Sequence, residues 1–230
     1  MPSSGFSAPT NYWGTITGLT PKSSNKGAQN SVAEAKNAKG DVVASDTFGQ
    51  TLAPSVDFVV TDDFENTNNV ILLGKIFSFE IASGTTRKFM LTQVVVTTSA
   101  GTPPTVTISG VQVENAATTK RTYPISLNLS PRSKAQDVAG AFTGNVKFTQ
   151  IVTTFSVDPV VQTVGGWPVS SDCANGKVEV AGSFVYSSTS QSWGKANGWD
   201  TITQVDESAP DGDYIARSLT CTKYLSGTDA

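Results

Sequence analysis

The sequence predicts an all-β fold, a β-sandwich or barrel with long hairpins and one short helix. Three observations carry that expectation. About a quarter of the 230 residues are Ser or Thr, and only 15% are charged. That balance suits pleated, half-buried strands better than amphipathic helices. Several segments alternate apolar and polar residues with a period of two, and Gly- and Pro-containing turns interrupt them at short intervals. A chain of this length buries a real core and admits either one large β domain or two smaller sandwiches in tandem.

Residues 1–30 read as an N-terminal arm, in which Tyr12-Trp13 precede a glycine and a Thr-Ile-Thr run. An aromatic pair there is suited to anchor the arm on a neighbouring subunit. The leader MPSSGFSAPT has neither a basic nor an apolar region of the kind a secretory signal needs. A first β block spans 31–100. It opens with Ser31–Asn37 and Asp41–Asp46 around Ala38-Lys39-Gly40, the pattern of a hairpin with a glycine turn. Val56–Thr61 follows Pro54. Val70–Ala82 then reads as one long strand, with Ile76, Ser78 and Glu80 against Phe77, Phe79 and Ile81. Its apolar run, broken by Gly74, Lys75 and Glu80, is far short of the roughly 20 residues a membrane-spanning helix requires. Arg87–Thr98 continues in the same manner until Gly101, Pro103 and Pro104 mark a boundary.

The second β block, 101–230, starts with Val106, Ile108, Val111 and Val113, and Gly110 reads as a bulge. Tyr123–Leu129 alternates strictly, with Tyr123, Ile125, Leu127 and Leu129 on one side. Ser133–Phe142 is the helix candidate. Ser130 or Ser133 would cap it, Ala135, Val138, Ala139 and Phe142 would share a face, and Gly144 would end it. Such a helix would plug an open end of the sandwich. Val146–Val157, Lys177–Tyr186 and Tyr214–Leu225 read as further strands, and Ser187–Trp199 as a long exposed loop. Cys173 and Cys221 lie in strand-like segments. A core of this size needs no staple, so the sequence favours two buried thiols over one bridge.

Composition narrows the chemistry. The chain has no histidine, which removes Ser-His-Asp and Cys-His nucleophile activation, the usual zinc sites and the commonest neutral-pH base. What remains is carboxylate chemistry with two acids about 5 to 10 Å apart. The acidic clusters are Asp62-Asp63 with Glu65, and Asp206-Glu207 with Asp211 and Asp213. Both read as solvated turns. The second lacks the full alternation of a calcium loop, so no catalytic residue, metal site or cofactor is expected. Formal net charge is −3, from 16 basic and 19 acidic side chains. That leaves no basic field to hold a phosphate backbone, yet it suits a wall that DNA passes without sticking. Trp167, in a Gly-Gly-Trp-Pro stretch, together with Trp193 and Trp199, offers a flat aromatic surface for a sugar ring or partner, with core packing as the competing reading.

The segment Ser31–Gly49 (SVAEAKNAKGDVVASDTFG), the strand Val56–Asp63 and the run Lys177–Val185 resemble β-rich virion proteins of tailed phages and prophages, most nearly tail-tube-like proteins. The resemblance implies a non-catalytic subunit that forms a homo-oligomeric ring or tube, assembled in the host cytoplasm into the virion. It implies stacked rings around a channel through which DNA passes without specific binding, contacts with other virion proteins, and no membrane. The assembly interface would then include Tyr12, Trp13, Val32, Glu34, Lys36, Lys39, Val42 and Val43. There the first hairpin would complete its edges on a neighbour. The block after Thr105 is long for a single tube domain, which keeps an outward-facing domain or a neck, head or decoration role open. The alternative is a carbohydrate- or receptor-binding β-sandwich that uses Trp167, Trp193 or Trp199.

Overall fold

The computed structural model describes residues 13–36, 39, 41–66, 71–82, 85–114, 117–132, 134–142, 147–164, 167–186, 198–208 and 215–229. Among them the chain forms strands and no helix. The first strands are β1 (Leu19–Asn25), β2 (Ala28–Lys36), β3 (Val42–Leu52), β4 (Ser55–Val60), β5 (Phe64–Glu65), β6 (Leu72–Leu73), β7 (Ile76–Ala82) and β8 (Thr85–Ser99). They are followed by β9 (Thr102–Val113), β10 (Arg121–Pro124), β11 (Asn128–Leu129), β12 (Lys147–Val164), β13 (Trp167–Tyr186), β14 (Thr201–Ser208), β15 (Ile215–Tyr224) and β16 (Thr228–Asp229). A nine-stranded sheet runs β1-β4-β9-β8-β12-β13-β15-β14, with β7 added to β8. Its ladders are antiparallel throughout.

Period-two alternation explains why this sheet has one oily face. Val56, Phe58 and Val60 of β4, Val106 and Ile108 of β9, Val94 and Val96 of β8, Ile151 and Phe155 of β12, and Val178 and Val180 of β13 are all buried. Their neighbours in sequence are mainly Ser, Thr and Gln and face the other way. A second layer of short ladders and irregular chain covers the oily face, giving a sandwich-like core that includes Trp13, Phe64, Ile71, Leu73, Tyr123, Leu127, Leu129 and Phe142. Burial of each such side chain contributes about 1.5–3 kcal/mol. Asn66 ties the cover together. Its Nδ2 donates to the carbonyls of Ile71 and Ile125 at 2.8 Å, and its Oδ1 accepts the Ile71 N–H at 2.9 Å.

Several expectations need correction. Residues 31–100 and 101–230 both supply strands to the same sheet. The Gly/Pro interruption after Ser99 is the turn of the β8–β9 hairpin, with Ser99 opposite Thr102 and Gly101 at φ +87°. The described part of the arm, residues 13–30, is likewise no separate region, because Leu19–Asn25 pairs along β4. Val70–Ala82 is not one strand. The chain turns at Gly74, φ +82°, and β7 starts beyond it. Tyr123, Ile125, Leu127 and Leu129 are all buried as their alternation requires, but only the ends of that segment form ladders.

The helix expected over Ser133–Phe142 is absent from its described part, residues 134–142. The Asp137 carboxylate accepts the N–H groups of Ala139, Gly140 and Phe142 at 3.2, 2.9 and 2.7 Å. Side-chain capture of nearby N–H groups competes with the helical ladder. Gly140 at φ +69° completes the turn. Thr98 Oγ1 donates to the Gln136 carbonyl and accepts the Gln136 N–H, at 2.9 and 2.8 Å, pinning the segment over the sheet. Desolvation raises the Asp137 pKa, and the backbone N–H donors oppose that rise. The segment still acts as a plug: Ala141 and Phe142 are buried, and the Phe142 ring lies 5.3 Å from that of Phe148.

Both cysteines are buried thiols, not joined in a disulfide. Cys173 Sγ donates to the Arg121 carbonyl at 3.2 Å. Burial pushes its thiol up to about 11, Asp172 adds to the rise, and Arg121 opposes it. Because the folded pKa lies above the unfolded one of about 8.5, the stability contributed by this thiol is fully present below that value and is lost as pH climbs towards 11. A thiol-disulfide colorimetric assay at pH 8 should therefore find Cys173 unreactive in the native protein, with both thiols released by denaturant. Rapid native reaction would show that the segment around Arg121 opens readily.

Candidate assembly surfaces

The first hairpin is longer than its sequence signal. Among the described residues β2 and β3 pair only with each other, from Ala28 opposite Leu52 to Lys36 opposite Val42. Val32 faces Thr47 and Glu34 faces Ser45 in the register. A shift beyond Ala35 leaves Val43 as the extra residue of a bulge. Lys39 and Val42 at the turn are exposed, Val42 by 50%. At its base the ribbon is held to the large sheet, where the Leu52 N–H donates to the buried Gln112 side chain at 3.2 Å.

A second ribbon was not legible in sequence. β12 pairs with β8 only through Gln150–Ser156, and β13 pairs with β15 only through Lys177–Tyr186. Beyond those limits residues 158–164 and 167–174 form a two-stranded extension, with Trp167 opposite Val164 at its end. Val160 and Val164 on this extension are 49% and 68% exposed. Pro159 is tolerated because the β8–β12 ladder has already ended with Ser156 opposite Gln93, so no ladder bond is lost on that side.

Two aromatic expectations are overturned by burial. Trp13 does not reach outward to a neighbour. It is 6% exposed, its Nε1 donates to the Ile108 carbonyl at 3.2 Å, and its ring meets Phe77 and Phe79 edge-on at 5.4 and 5.6 Å. Gly110 makes room for it, since a Cβ there would overlap the indole. Trp199 is 3% exposed and belongs to the core, so it offers no flat surface to a ligand. Tyr12 and Trp193 lie outside the described residues.

The β1 edge of the large sheet differs from the ribbons. β1 carries Pro21, Lys22 and a register shift between Pro21 and Ser23. All three devices discourage strand addition. The outer face of the sheet is rich in hydroxyls. In one row the register runs from Ser23 through Asp57, Thr107, Val95, Thr154, Glu179 and Thr222 to Thr201. Asp57 accepts from Ser23 on one neighbouring strand and from Thr107, at 2.7 Å, on the other.

Among the described residues the carboxylate clusters do not converge on a cation site. Among the described residues no group of three or more His, Cys, Asp or Glu side chains is placed to hold a metal. Asp62 accepts the N–H of Asp63 at 2.8 Å, a local turn contact. Asp206 and Glu207, expected in a turn, lie in β14 opposite Ser218 and Arg217, while Asp211 and Asp213 lie outside the described residues. No helix among the described residues is long and apolar enough to cross a membrane. Compared with known proteins, the chain matches no family model and no curated relative.

Proposed function

We propose that this chain is a structural subunit that self-assembles, its two ribbons completing their packing on neighbouring copies, in a phage-like particle of tail-tube type. The observation that carries the reading is the pair of two-stranded extensions, β2–β3 and the far half of β12–β13, which form no ladder with a third strand among the described residues. A two-stranded ribbon is marginal in water alone. A third strand or an apolar surface from another chain would stabilise it. Val42, Val160 and Val164, exposed on these extensions, are the side chains such a contact would cover. The resemblance of the first hairpin and of Lys177–Val185 to tail-tube-like proteins supplies the class of particle. In such a tube the hydroxyl-rich outer face, where Lys177 sits beside Glu179, would give passing DNA no cationic array to bind.

Negative-stain electron microscopy and sedimentation of the purified chain test this. Rings or tubes are expected at high concentration. Val160→Lys with Val164→Lys should return the protein to single subunits with unchanged thermal unfolding of the subunit. A wild-type chain that stays monomeric, or tubes that form equally well with both lysines present, would reject the proposal.

A further inference from the structure

A cleft of about 450 Å³ opens between β10, the turn of β13 around Asn175 and the C-terminal segment from Tyr224 to Asp229. That volume lies in the range of small-ligand sites, about 300–1,000 Å³. Its walls are fixed by the backbone. β13 bulges where Ser156 faces Lys177 and Asp158 faces Ala174, and the extra residue Asn175 sits at φ 52°, held by its Nδ2 to the Asp158 carboxylate at 3.0 Å. Left-handed backbone at a residue other than glycine is uncommon and needs surrounding contacts to hold it. Gly176 and Gly227 flank the ring of Tyr123, and a Cβ at either would collide with it.

The polar groups are paired in charge. Arg121 Nε donates to Asp229 Oδ1 at 3.1 Å, with both side chains reaching solvent at 45% and 81% exposure. The Asp229 carboxylate, and secondarily the Tyr123 hydroxyl, raise the already high pKa of the guanidinium. Tyr224 is 62% exposed, an unusual degree for so large a ring, while its backbone N–H is fixed to Asp200 at 2.8 Å. The cleft thus presents an open aromatic face on a rigid base, beside donors on Arg121 and acceptors on Asp229.

That arrangement discriminates between ligand classes. An anion on Arg121 would meet the Asp229 carboxylate beside it, and a cation on Asp229 would meet the guanidinium, so each is repelled by one member of the pair. An uncharged polyol uses both partners at once: its oxygens accept from the guanidinium and its hydroxyls donate to the carboxylate. A sugar ring adds an apolar face that stacks on an aromatic. We propose that this cleft binds a neutral carbohydrate, stacked on Tyr224 and hydrogen-bonded by the Arg121–Asp229 pair. The site abuts the base of the second ribbon at Asp158 and Ala174 but includes neither Val160 nor Val164, and its test reads sugar binding rather than assembly.

The test is titration of the full chain, followed by NMR, with maltohexaose, cellohexaose and mannohexaose, and with a trigalacturonate as the anionic control. At least one neutral oligomer should bind with a Kd on the order of 1 mM. Tyr224→Ala and Asp229→Asn should each weaken that binding about tenfold or more with unchanged thermal unfolding, because both side chains are exposed. Failure of all three neutral oligomers to bind at about ten times that concentration overturns the proposal. So does preference for trigalacturonate, or affinity that survives both substitutions.

Discussion

Trp13→Ala is expected to lower the unfolding free energy by about 3–5 kcal/mol, the range for losing a buried large aromatic. Three losses combine. The indole leaves a void that the surrounding backbone cannot fill, because it lies against Gly110, on a central strand of the sheet, where no side chain can swing in. Phe77 and Phe79, stacked 6.3 Å apart, lose the edge-on ring that both of them meet. The Ile108 carbonyl loses its indole donor. Trp13→Phe separates these effects, since it keeps an aromatic ring and removes the N–H. It should cost about 1–3 kcal/mol, the penalty for an unsatisfied buried acceptor. Urea unfolding followed by far-ultraviolet circular dichroism measures both. If Trp13→Ala unfolds within 1 kcal/mol of wild type, the N-terminal segment is not docked, and its role as an outward anchor regains standing.

What sequence made legible here is local, and what it hid is not. Alternation in β4, β8, β9 and the start of β12 announced a sheet with one oily face, and that face is buried as the pattern demands. Trp13 gave no such signal, because its partners lie far along the chain, Ile108 being 95 residues away. Gly110 was read as a bulge for its missing side chain. The irregular residue is across the ladder on β8, between Leu91 and Gln93, and the glycine serves the indole instead. Gly101 with Pro103 and Pro104 looks the same in a hairpin turn as in a linker, and only the ladder between β8 and β9 distinguishes them. Ser133–Phe142 has helical spacing, but spacing does not register that Asp137 will take three N–H groups for itself. Among the candidate contacts, Lys39 and Val42 were readable as turn flanks. Val160 and Val164 were not, because Asp158-Pro159 reads as the end of a strand that in fact continues to Val164.

Gly176→Ala is expected to destabilise the fold by about 3 kcal/mol, at the upper end of the usual cost of overpacking. The cost is steric alone. Unlike Gly74, this glycine is not among the positive-φ residues, so alanine meets no backbone objection. A Cβ would instead overlap the ring of Tyr123, whose Cδ1, Cε1 and Cγ are the nearest atoms to it. Neither side can yield. The Leu225 N–H is bonded to the Gly176 carbonyl at 2.8 Å, and the tyrosine is buried against Gly227 on its other side. A double-mutant cycle makes the claim quantitative. Tyr123→Ala alone should cost about 3 kcal/mol through the void it leaves, but in that background Gly176→Ala should add less than about 0.5 kcal/mol, because the colliding ring is gone. The coupling energy would then be about 2.5 kcal/mol, within the range for residues in direct contact. Additive effects of the two substitutions would mean that the ring does not rest on Gly176. They would also remove the rigid wall on which the neighbouring cleft depends.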